Sequence, residues 1–161
     1  MILNTKEDFE KAILSGEEIK HKTVFYTGEL SEKPVNLAIG TFDEKLGVYA
    51  GELRGQQAWV ALKDGPKQMT WEKAKEWCEK QGGHLPSIDE LTIAHLNKEA
   101  VNKALVEHGG EPFKEDDYYW SSSEYLSSGS WVLTLGSGYR IYGNKTAKYY
   151  ERCFQLVENC F

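Results

Sequence analysis

A pair of adjacent glycines, Gly82-Gly83, separates two segments with strong helical signals, and this juncture constrains the fold more than any other feature of the chain. Upstream, Trp71, Ala74, Trp77 and Cys78 recur at helical spacing and make one apolar face. Thr70 stands at the N-cap position; the residue three further on is Lys73, so this is a simple cap and not a capping box. The glycines supply the left-handed conformation that stops a helix. Downstream, Ser87 is followed three residues later by Glu90, which completes a capping-box pattern. Leu91, Ala94, His95, Ala100, Val101 and Leu105 continue the helical period to Glu107 or His108, with a break expected near Asn97.

The rest of the chain reads as short strands around this helical centre. Asn4 or Thr5 caps a short helix that Ser15-Gly16 ends, with Phe9, Ala12 and Ile13 as its apolar stripe. Thr23–Thr27, Val35–Gly40, Leu46–Gly51 and Ala58–Leu62 have strand character and are separated by turn-forming residues. A division falls near Leu53–Gln57. It gives residues 1–56 as an N-terminal helix-plus-strands extension, expected to pack on a main domain of residues 57–161. Beyond the helices, Gly109–Asp117 is a loop by composition, Tyr118–Ser122 a strand and Glu124–Ser130 a polar connection. Ser130–Leu135 is a strand whose alternation puts Trp131, Leu133 and Leu135 on one face. Gly136–Gly138 then turns the chain into Tyr139–Gly143, and Tyr150–Val157 closes the sheet.

Composition excludes several classes of function. The formal net charge is −6 and no Lys/Arg block stands out, which argues against nucleic acid as a partner. No apolar run approaches a membrane span. The N-terminus lacks a basic start followed by an apolar stretch, so no signal peptide is read; the expected location is a host cytoplasm and/or a virion. With three cysteines and no export signal, free and mostly buried thiols are the default expectation.

Three ordered motifs resemble a known family. They are Trp71-x-x-Ala74-x-x-x-Cys78 with Gly82, Leu85-Pro86-Ser87 and Glu90-Leu91; then Tyr119-Trp120-Ser121-Ser122-Ser123-Glu124-Tyr125; and finally Arg152-Cys153. Over residues 58–157 they resemble the C-type-lectin-like domain, in the bacterial and phage branch known as DUF1566 or Lcl C-terminal-like. The resemblance implies an α+β fold of two helices and a small twisted antiparallel sheet. It also implies that Cys78 and Cys153 lie close together, one on a helix and one on a strand, as thiols if the compartment is reducing. Cys160 falls outside the pattern.

The implied function is a non-enzymatic module that binds a glycan or protein, from a phage or prophage, as a virion accessory or receptor-contact protein. Partners could then include homo-oligomer or virion assembly. Two alternatives stay open: a diversity-generating-retroelement variable protein, and a small intracellular enzyme or effector on the fold of formylglycine-generating enzymes. The second lacks support from the residues. His21, His84, His95 and His108 have no metal-ligand spacing, and no phosphate loop or serine elbow occurs. The calcium tripeptides Glu-Pro-Asn and Trp-Asn-Asp are absent, since Glu111-Pro112 is followed by Phe113. No cofactor and no metal are therefore expected.

In the proteins that the chain resembles, recognition uses strands and loops after the second helix. Here that region places Tyr139, Arg140, Tyr142, Asn144 and Lys145 as the candidate ligand-binding residues. Rings and hydrogen-bonding groups together make adaptable contacts. A solvated turn is the competing reading for Arg140, Tyr142 and Asn144. Trp71, Trp120, Trp131 and Tyr150 are read as core.

Overall fold

The structure, a computed structural model, describes residues 37–159. The helix and strand expected within residues 4–27 lie outside the described residues. Among the described residues, seven strands form two antiparallel sheets. The first has the order β1 (Phe42–Asp43), β2 (Gly47–Leu53), β3 (Gln56–Val60), β7 (Phe154–Glu158). The second has the order β4 (Tyr118–Leu126), β5 (Gly129–Thr134), β6 (Arg140–Asn144). Three helices lie between β3 and β4 in sequence: α1 (Trp71–Lys80), α2 (Ile88–Leu96) and α3 (Lys98–Glu107).

The helical centre matches its sequence signals closely. Gly82 has φ +85°, the left-handed stop that ends α1. Ser87 and Glu90 exchange the two hydrogen bonds of a capping box at the start of α2. The expected break falls at Asn97, which ends α2 and begins α3. Asn97 also anchors that corner, because its Nδ2 donates to the Ala50 carbonyl at 2.8 Å. Thr70 sits at the N-cap of α1, but its side chain makes no capping hydrogen bond.

Several strand boundaries differ from the sequence reading. Residues 37–40 end in a turn, and the strand that follows is only Phe42–Asp43. Gln56 opens β3, so the division drawn at residue 56 meets the hairpin in which β2 pairs with β3. The segment 124–126, read as part of a polar connection, continues β4 through an irregularity between Trp120 and Glu124. β7 begins only at Phe154 and pairs with β3, so the last strand closes the first sheet and not the one containing β4–β6.

The second sheet is buried on both faces over much of its length. On one face Trp120 and Val132 pack with Met69, Trp71, Ala74, Cys78, Leu85 and Cys153. On the other, Tyr119, Leu133 and Leu135 join Val48, Val60, Leu91, Val101, Leu105 and Phe154. Trp71 and Trp120, both expected in the core, are 2% and 0% exposed. Their indole N–H groups are satisfied by the carbonyls of Ser121 at 2.9 Å and Met69 at 2.8 Å, as burial of a polar handle requires. Cys78 and Cys153 form a disulfide with Cα atoms 5.2 Å apart, which replaces the expected pair of thiols. Cys78 lies on α1, and Cys153 immediately precedes β7.

Candidate functional site

The register of the second sheet decides which aromatic residues are available to a ligand. Trp131 on β5 faces Tyr142 on β6, and Leu133 faces Arg140. Opposed residues share a face, so Trp131, Leu133, Arg140 and Tyr142 project the same way. Near Leu133 that face is covered by α2 and α3. Toward Gly129 no helix among the described residues covers it. There the Tyr125 ring meets Trp131 edge-on at 5.1 Å and Tyr142 at 5.6 Å. The Arg140 guanidinium carbon lies 5.9 Å from the centre of the Trp131 ring, within reach of a cation–π contact. Tyr125 is 58% exposed and Tyr142 36%, while Trp131 is half-buried beneath them.

Two local devices hold this cluster in place. Gly129 has no room for a side chain, because a Cβ there would run into the Tyr142 ring. The ring therefore lies against the Gly129 backbone, and its hydroxyl meets Ser128 Oγ at 2.8 Å. The serine run beneath it is structural. Ser130 Oγ shares its one proton between the carbonyls of Ser121 (2.7 Å) and Ser123 (2.8 Å), and Ser121 Oγ donates to the Trp131 carbonyl at 2.6 Å. These bonds satisfy backbone groups that the irregularity in β4 frees from the ladder. Ser123 Oγ also accepts from the Ile88 N–H at 2.9 Å, which ties the site to the start of α2.

Of the five residues proposed from sequence, the structure brings Arg140 and Tyr142 together on this face. Tyr139 precedes β6 and is 62% exposed. It lines a different hollow of about 450 Å³ with Glu115, Asp116 and Tyr118. Asn144 shapes a turn: its Oδ1 accepts from the N–H and the hydroxyl of Thr146, at 3.0 and 2.9 Å. Lys145 is a clamp. Its ammonium lies 4.0 Å over the Trp71 ring and 2.8 Å from the Glu124 carboxylate, whose pKa it lowers. Tyr125 and Trp131 are the residues the site gains. Alternation gave Trp131 its correct face, but it also suggested core, because the sequence does not show where along a strand the covering helices end.

A second feature is a charge network under the loop that follows β3. Arg152, fully buried, donates through Nε to Asp64 Oδ1 at 2.6 Å. Lys114 Nζ and Tyr119 Oη donate to the other oxygen at 2.8 and 2.9 Å. Burial and the Asp64 charge hold the Tyr119 phenol far above its usual pKa, and the Asp64 contact raises that of Lys114. Glu151 is buried beside Gly65, and neither carboxyl oxygen has a hydrogen-bond partner among the described residues. Desolvation, with the Asp64 charge adding to it, pushes its pKa up to about 8. Among the described residues no group of three or more His, Cys, Asp or Glu side chains is arranged to hold a metal ion. No helix there is long and apolar enough to cross a membrane.

Helices packed on two small antiparallel sheets, cross-linked by a helix cysteine and a cysteine preceding the last strand, define a C-type-lectin-like fold. The family model described as the lectin C-type domain matches residues 67–159. The chain belongs to that family. Among solved structures it is similar to the Yersinia pseudotuberculosis adhesin InvE, at 14% identity and TM-score 0.41, over 61% of this chain and 25% of the adhesin. It is also similar to botrocetin, at 12% identity and TM-score 0.42, over 65% of this chain and 93% of botrocetin. The chain thus spans about a quarter of the adhesin's length. No curated protein matches it. Domains of this fold typically bind ligands without catalysis.

Proposed function

We propose that this domain is a non-enzymatic binding module whose ligand, a glycan or a protein, is recognised by Tyr125, Trp131, Arg140 and Tyr142. The observation that carries the reading is their convergence at the uncovered end of the second sheet. Tyr119, Trp120, Val132 and Leu133 of the same sheet are buried; here three rings and a guanidinium meet solvent, the composition that dominates binding hot spots. Rings packed edge-on over a rigid sheet lose little conformational freedom on binding.

The finer reading is a phage or prophage protein of the DUF1566 branch that makes receptor contact on a virion. Its support is the pattern Leu85-Pro86-Ser87 with Tyr119–Tyr125, in which the serines brace the hairpin under the face. A disulfide suits a surface exposed to an oxidising medium. The test is to screen the full chain on glycan arrays and bacterial envelopes beside an Arg140→Ala/Tyr142→Ala variant. Binding by the parent that drops about ten-fold or more in a folded variant is expected for a hot spot. Equal binding by both would exclude this face.

A further inference from the structure

The loop after β3 and the loop before β4 enclose a hollow of about 750 Å³, separate from the aromatic face. Its size suits a small ligand, whose sites span roughly 300–1,000 Å³. Its charge is opposite to that of the chain. Lys63, Lys67 and Lys114 line it, with Asp64 and Glu111 as the acidic residues. Asp64 is committed to Arg152, Lys114 and Tyr119, so one carboxylate balances two cations. Arg152 is turned inward and spends another N–H on the Glu111 carbonyl at 2.7 Å. Lys63 and Lys67 have no carboxylate partner among the described residues. Four cations therefore meet two carboxylates in a protein of formal net charge −6.

Lys114 is the organised member of this group. Its ammonium is 2.8 Å from Asp64 and lies 4.7 Å over the Tyr150 ring, yet the side chain remains 39% exposed. A cation already held in place loses little freedom on binding. Glu151, under the Gly65 floor, does not cancel this charge near neutral pH, since burial keeps its carboxyl protonated.

We propose that this hollow is a second binding site, which takes the anionic group of a small ligand, a sulfate, phosphate or sugar carboxylate. Lys114 forms the fixed contact, and Lys63 and Lys67 close over the anion. Exposed ion pairs are individually weak, so the affinity expected for the isolated group is in the millimolar range.

The experiment is a ¹⁵N-resolved NMR titration of the full chain with sodium sulfate, sodium phosphate or sodium glucuronate, at ionic strength held constant with sodium chloride. Glucose is the neutral control. Saturable shifts confined to residues 63–68 and 111–114 are expected, about five-fold weaker or more in Lys63→Gln/Lys67→Gln, whose exposed positions leave folding intact. The tightest probe separates an inorganic oxyanion from an acidic sugar. Three results would each overturn the proposal: no saturable shift with any anion, equal shifts with glucose, or unchanged affinity in the double variant.

Discussion

Trp120 and Trp131 stand on neighbouring strands of one sheet and meet opposite fates. Trp120 is fully buried, its N–H bonded to the Met69 carbonyl and its ring edge-on to Tyr149 at 4.9 Å. Trp131 lies half-buried under Tyr125, with Arg140 above its ring. Residue type does not separate them. The difference is cover: α1 packs over the face that carries Trp120, while α2 and α3 end before the face that carries Trp131 reaches Gly129. A fold of this kind can thus keep one end of a sheet as core and leave the other as a platform.

The largest test of that contrast is truncation. Trp120→Ala is expected to cost about 3–5 kcal/mol in urea melts, a large part of a domain's total stability. Tyr142→Ala should cost well under about 1 kcal/mol, as exposed substitutions do. Similar costs for the two would erase the distinction. Next comes the covalent link on the buried side. Cys78→Ala/Cys153→Ala removes a bond closing 75 residues and is expected to cost roughly 2–5 kcal/mol, because the unfolded chain regains its freedom. Thermal melts of the parent with and without reductant should show the same loss.

Glu151 sharpens the comparison through pH. Its carboxyl titrates near 8 when folded, against an ordinary value of 4.5. Between those values the folded state holds a proton that the unfolded state has released. Stability should therefore fall as pH rises from 4.5 towards 8 and level off above, by a few kcal/mol in all. Glu151→Gln should flatten this slope in urea melts taken at several pH values. An undiminished slope would assign it to other groups.

How much of this was legible in the sequence follows from the range of the forces involved. The capping box at Ser87 and Glu90, the stop at Gly82 and the break at Asn97 are local hydrogen-bond and backbone effects, so local patterns revealed them. The charge network was invisible because Asp64 and Arg152 stand 88 residues apart. Lys145 looked like a free binding group, and only the fold brings Trp71 and Glu124 against it. Arg140 and Tyr142 were legible as exposed partners on one strand. Tyr125 and Trp131 joined them only once the register of β4 to β6 was known.

The smallest structural change carries the most direct test. Once a glycan or envelope protein has been selected with the full chain, titrating it while recording the tryptophan indole N–H signals compares the two ends of the sheet in one spectrum. The account predicts that the Trp131 signal shifts and saturates while that of Trp120 stays fixed. A silent Trp131, with saturating shifts at Tyr139 and Glu115–Asp117 instead, would contradict it and place recognition on the acidic loop.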